Sequence, residues 1–223
     1  MSNSTIGGNV TTTGNVTVSG AGNKLYFADG TSQSTAATGG LPGVLGQVFT
    51  SSGTFTIPAG VTALKVTVLG GGGGGTALSG CCFPTGNTGG TSSVASGTQT
   101  ISTISATGGA GGRYANPPTQ SAGGAGSGGD LNIYGGSGGV GFMTGSSIFG
   151  GGGAYKGSTV GYGGGGGTSQ SGNAVQYIGA AAGGAAIKYL TGLTPGNTLA
   201  VTVGAGGTGA GYTGGNGVVI FEW

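Results

Sequence analysis

The chain has 223 residues, 63 of them glycine, with 4% charged residues and a formal net charge of +2. Five basic and three acidic residues are scattered singly, so no basic patch offers a nucleic-acid interface, and the lack of histidine removes the commonest general base. Apolar residues still reach 35%, more than a disordered tail carries, and they are clustered, so core material sits at particular places.

The first ten residues, MSNSTIGGNV, show neither the basic start nor the apolar run of a secretory signal. Gly8-Asn9-Val10-Thr11 recurs six residues later as Gly14-Asn15-Val16-Thr17, a period that suits a β-solenoid or β-prism. One repeat pair cannot bury a core alone, which points to stacking with other copies of the chain. Leu25, Tyr26 and Phe27 predict a short strand, and Ala28-Asp29-Gly30 a turn. Gly39, Gly40 and Pro42 mark a boundary. The expected organisation is a fibre, attachment and trimerisation segment over 1–40, a linker over 41–46, and a glycine-rich distal domain over 47–223.

From Gln47 the pattern changes. Phe49, Phe55 and Ile57 lie on strand-like segments, and Ile57-Pro58-Ala59-Gly60 reads as a turn. Leu64-Lys65-Val66-Thr67-Val68 alternates as a half-buried strand does. Near the far end Ala186 to Leu190, Leu199 to Val203 and Val218 to Trp223 read the same way. Strands thus bracket the middle, and the expected core is an antiparallel β element made from 47–69 and 186–223. Almost no α-helix is expected. No apolar run approaches the ~18–20 residues of a membrane-spanning helix.

The stretch VTVLGGGGGG, Val66 to Gly75, runs strand formers straight into glycines that carry no side chain to bury. Collagen is excluded, because glycine comes in runs rather than at every third position and there are only 6 prolines. A flexible linker would not intersperse Tyr134, Phe142, Phe149, Tyr155 and Tyr162. Side-chain-free chains can pack closely as left-handed threefold helices of the polyglycine II type, hydrogen-bonded to one another. Eight runs fit such rods: 70–75, 108–112, 123–129, 135–141, 150–153, 163–167, 183–184 and 204–211. The connections between them carry Phe83, Arg113, Tyr114, Asn116, Tyr134, Phe142, Tyr155 and Tyr162, the candidate recognition residues. Cys81 and Cys82 are adjacent and are either free thiols or a vicinal disulfide.

Three motifs in order, FTIPAGVTALKVTVLGGGGGG, LTPGNTLAVTVGAGGTGAG and GGNGVVIFEW, resemble the glycine-rich distal domain of bacteriophage and prophage tail fibres, and the resemblance covers 47–223. GNKLYFADGTSQSTAAT, over 22–38, is similar to a short segment that precedes the distal domain in such fibres. The resemblance implies a virion protein, a homotrimer exposed to the medium, whose N-terminal segment holds other virion proteins and whose tip contacts a host surface glycan or protein. It is also similar to detachable phage adhesins that present host-reading loops on a glycine-helix bundle. The stretch ahead of the domain leaves little room for a long shaft.

Two functions compete on the residues. In the first, loop aromatics stack on sugar faces and Arg113 meets an anionic glycan; in the second, the chain is a structural fibre, cement or capsid decoration protein with no receptor. For Phe49, Phe55, Phe221 and Trp223 core packing is the expected role. No enzyme is expected: a carboxylate pair would have to come from Asp29, Asp130 and Glu222, which lie far apart in the sequence. No metal-ligand cluster and no phosphate loop is present, so no cofactor is expected. With so little charge and so much bare backbone, unpaired strand edges favour closed self-assembly.

Overall fold

The computed structural model describes residues 13, 25–26, 32–33, 45–76, 84–115, 117–141, 143–153, 160–167, 177–209 and 212–223. The chain divides into two compact units, Met1–Pro42 and Gly43–Trp223. In the first, β1 (Leu25–Tyr26) pairs antiparallel with β2 (Ser32–Gln33). The Asn-Val-Thr repeat lies outside the described residues.

The second unit is all β. Its strands are β3 (Gly46–Phe49), β4 (Gly53–Thr56), β5 (Ala63–Leu69), β6 (Ser92–Ser96), β7 (Ile104–Ala106) and β8 (Arg113–Tyr114). They continue with β9 (Gly126–Ser127), β10 (Leu131–Ile133), β11 (Tyr177–Ile178), β12 (Ala185–Thr191), β13 (Thr198–Thr202) and β14 (Val218–Glu222). No described residue is helical. Two antiparallel five-stranded sheets form, in the orders β10-β12-β5-β14-β3 and β4-β13-β6-β7-β9, and β8 pairs separately with β11. β3 begins inside the stretch expected as linker.

The two sheets face each other across one core. Leu64, Val66 and Val68 of β5, Ala186 and Leu190 of β12, and Val219 and Phe221 of β14 meet Phe55, Val94, Ile104, Leu199 and Val201 of the second sheet. Phe55 stacks on Phe221 with ring centroids 3.9 Å apart, Phe49 meets both edge-on, and Trp223 packs at 5.7 Å from Phe55. These four aromatics serve the core, three from strands and Trp223 from just beyond the end of β14.

One expectation needs correction. The strands do not come only from the two ends of the chain: β6, β7, β9 and β10 come from the glycine-rich middle. The physical reason is coverage. The ends supply most of one sheet but only β4 and β13 of the other, and an apolar sheet face requires a second layer. Val94, Ile104 and Ala106 supply it, each alternating inward within a short serine-containing strand.

All the glycine segments leave the sandwich from one end. Strands β5, β7, β10 and β13 run out into them, and β6, β9, β12 and β14 receive them back. Leu45 and Trp223 lie together at the opposite end, where the Trp223 N–H donates to the Leu45 carbonyl at 2.9 Å. There too lie the turns 57–62, 97–103, 128–130 and 192–197.

Segment 70–75 is buried, yet it belongs to no sheet. Its N–H groups turn through three directions. Gly70 and Gly73 donate to the carbonyls of Gly184 and Ala181, Gly71 and Gly74 to those of Gly90 and Asn87, and Gly72 and Gly75 to those of Gly215 and Tyr212, all at 2.8–3.0 Å. Three antiparallel neighbours therefore accept in turn. Three parallel neighbours donate back: Gly109 and Gly112 to Gly71 and Gly74, Gly207 to Gly72, and Gly166 to Gly73. A second buried segment, 179–184, is bonded in the same manner to 136–139, 107–110 and Gly163. Every buried polar group of the backbone must find such a partner.

The glycines follow from that packing. A Cβ placed on any of Gly70 to Gly75 would come within 3.0 Å of a neighbouring backbone oxygen. None of the six has a positive φ. Their glycine identity reflects closeness of approach rather than turn geometry.

Candidate functional site

The far end of the glycine segments is built on β8 and β11. Gly112 leads outward into Arg113 and Tyr114, and Tyr177 and Ile178 lead back into Gly179, so an outgoing and a returning backbone meet antiparallel, Tyr177 opposite Tyr114 and Ile178 opposite Arg113. The tyrosine rings pack edge-on with centroids 5.7 Å apart. Tyr177 is almost fully buried, and that burial, with Tyr114 beside it, pushes its phenol above the ordinary value.

Arg113 is half-buried and holds the connection that follows it. Its Nη2 donates to the Thr119 carbonyl at 3.1 Å, the Thr119 hydroxyl at 2.8 Å and the Gln120 carbonyl at 2.8 Å. Pro117, Pro118, Thr119 and Gln120 are exposed around it. Ser121, buried beneath them, donates from its hydroxyl to the Gly111 carbonyl at 3.0 Å. The sequence singled out Arg113 and Tyr114; it missed Tyr177, Thr119 and Gln120. The one available signal was symmetry of context, a Tyr-Ile pair ahead of a glycine-alanine run matching an Arg-Tyr pair behind one.

Tyr134 and Tyr162 do not join this end. Tyr134 follows β10 directly and bridges to Ala125, just ahead of β9, which puts it beside the sandwich. Tyr162 precedes Gly163, whose N–H donates to the Asn216 carbonyl next to the start of β14. Gly163 abuts Leu69, the last residue of β5. Tyr134 is 79% exposed and Tyr162 44%. Ile148 and Phe149 are also exposed, on the turn at 147–150, where the Ser147 hydroxyl donates to the Tyr162 carbonyl. Phe83, Asn116, Phe142 and Tyr155 lie outside the described residues, as do Cys81 and Cys82.

A further shallow depression of about 240 Å³ lies at the junction of sandwich and glycine segments, lined by Thr50, Ser51, Ser52, Val203, Gly204, Ala205 and Asn216. Its polar groups are largely committed: Ser52 accepts from the Val203 N–H and Asn216 from the Gly206 N–H.

Charge is segregated. Lys65 pairs with Glu222 across adjacent strands at 2.7 Å, and Lys188 pairs with Asp130. Hydrogen bonding to Lys188, then to the Tyr189 N–H, holds the Asp130 carboxyl below the usual range, and hydrogen bonding to Glu222 raises Lys65. Both described carboxylate side chains therefore bind lysines at the sandwich. Among the described residues no group of three or more His, Cys, Asp or Glu could hold a metal ion, and no helix is long and apolar enough to cross a membrane. Comparison of the chain with family models, curated proteins and solved structures finds no match.

Proposed function

We propose that the chain is a bacteriophage virion fibre protein whose glycine-rich unit carries a non-enzymatic tip for a host cell-surface receptor, most simply a glycan. In this reading the glycine segments form a polyglycine II bundle. The three-residue period of donors along 70–75, and the close approach that forbids a Cβ there, support it. Six residues at about 3.1 Å each would carry the tip ~19 Å beyond the sandwich.

One observation carries the functional reading: the unit is polar. Leu45, where the described part of the sandwich unit begins, lies at one end of the sandwich, and the described glycine segments leave from the other. That layout suits attachment to other virion proteins through the N-terminal segment, with contact residues held outward on a rigid support. Arg113, Tyr114 and the exposed 117–120 connection are the proposed contact residues. A closed homotrimer is proposed from the resemblance, and the exposed apolar side chains of Val48, Leu131 and Tyr189 on the sandwich are consistent with lateral contacts.

The test uses the purified full chain. Light scattering gives its oligomeric state, and a fluorescent derivative reports binding across a panel of bacterial strains. The expected result is a trimer that binds particular strains, with binding lost in Tyr114→Ala while the unfolding midpoint is kept. A trimer that binds no strain would instead favour a structural fibre or decoration protein.

A further inference from the structure

The described charges balance everywhere except at the tip. Lys65 has Glu222, and Lys188 has Asp130. Arg113 is the only arginine of the chain, and its three hydrogen-bond partners are two carbonyls and a hydroxyl. Neutral acceptors orient a guanidinium without cancelling its charge. All three bonds use Nη2, so Nε and Nη1 donate to no described residue. A half-buried cation is less screened by water and salt than one on an open surface. Among the described residues the guanidinium is therefore fixed at one nitrogen, with no acceptor on the others and no carboxylate paired with it. Its Nε–H and Nη1–H can each still give an oxyanion a single charge-assisted bond. Tyr114, next in the strand, packs its ring edge-on against Tyr177 and braces the strand that carries Arg113.

We infer that the tip takes an anionic saccharide chain, with Arg113 receiving one carboxylate or phosphate group. This rests on the reading of the far end as the receptor-contacting tip. A single cation with a threonine hydroxyl beside it fits an isolated charge on a glycan better than a densely charged polymer such as a nucleic acid, which needs several cations in a row.

The experiment measures retention of the full chain on three immobilised polysaccharides: polygalacturonate for carboxylate, a phosphomannan for phosphate, and dextran as the neutral control. Retention on one or both anionic chains, weakening with salt, and none on dextran is expected. Retention on polygalacturonate alone assigns the carboxylate, and on phosphomannan alone the phosphate. Arg113→Gln should weaken retention by roughly tenfold or more, the scale of losing one well-placed charge. Because that change also removes the anchor of 119–120, Thr119→Glu is the second variant. It sets a carboxylate beside Nη2 and should abolish retention with the unfolding midpoint intact. Equal retention on dextran, or Thr119→Glu behaving as wild type, overturns the inference. If Arg113→Gln and Thr119→Glu still bind host strains as wild type does, the anionic assignment falls and the tip reading stands. If wild type binds neither strains nor any polysaccharide, both fall.

Discussion

Glycine performs two separate tasks in this chain, and the difference decides what each position tolerates. Gly60, Gly128, Gly192 and Gly196 have positive φ and make the turns at the end of the sandwich away from the glycine segments. Gly72 has no positive φ, but a Cβ there would collide with the backbone of Gly163 and Gly164. Gly151 has neither constraint: nothing lies within 4 Å of its Cβ direction. Three alanine substitutions should therefore separate in denaturant midpoints. Gly72→Ala should cost about 3 kcal/mol or more, because backbone cannot step aside as a side chain can. Gly60→Ala, with open space but φ of +80, should cost about 1 kcal/mol. Gly151→Ala should be neutral or slightly stabilising, since alanine restricts the unfolded chain. Equal costs at Gly72 and Gly151 would refute close approach as the reason for the glycine run.

At the scale of the element, the segment is defined by which residues face a neighbour rather than by glycine content. In 84–91 the N–H groups of Gly86, Asn87, Gly89 and Gly90 bond to surrounding segments, while Thr85, Thr88 and Thr91, three apart, are exposed. Segment 179–184 even buries Ala180, Ala181 and Ala182 completely. Thr88→Val should therefore change stability by less than ~0.5 kcal/mol, as at an ordinary surface position. Gly89→Ala, one residue on, should cost about 3 kcal/mol by overlap with Gly71. Thermal unfolding of the two variants side by side checks this. The same distinction explains what the sequence disclosed. A search for glycine runs found 70–75 and 163–167 but passed over 84–90, 143–147, 212–217 and most of 179–184, because threonine, asparagine and alanine occupy positions that face outward or into small gaps. It likewise overlooked β6 and β7, whose apolar residues are too few to announce a strand without the sheet they cover. The long alternating strands β5, β13 and β14 were legible because their periodicity is local. Arg113 and Tyr114 were legible as a charged and an aromatic residue after a glycine run. Their partner Tyr177 was not, since that contact depends on which segments pair. Tyr134 and Tyr162 looked equivalent to them, because local sequence does not say at which end of the glycine segments a connection lies.

At the scale of the whole molecule, stability should be nearly indifferent to pH over a wide range. The chain has no histidine, and the described carboxylates and lysines are paired. Asp130 is depressed in the folded state, so its contribution is present above the ordinary carboxylate value near ~3.9 and is lost as pH falls through the lower folded value. Lys65 is raised, so its contribution is complete below the ordinary lysine value near ~10.4 and is lost as pH rises through the folded value. Tyr177 is raised by burial; above ~10 the unfolded chain releases this proton more readily, and stability falls there too. A melting temperature measured across pH should thus show a plateau from about 5 to 9 with a decline on each side. A step near neutrality would contradict this assignment of titrating groups.

The threefold turning of donors along 70–75 also sets a rule for how this architecture can change length. Adding one residue to a segment would rotate every later side chain toward a different neighbour and bring Cβ atoms against backbone. Adding three would restore the phase, provided that the bonded neighbours lengthen as well. On the proposed polyglycine II reading, the segments would therefore lengthen in triplets, about 9 Å at a time. The residues at the outer turns escape that constraint. A lineage carrying this fold could vary those outer connections freely while the segments beneath them changed only in whole steps.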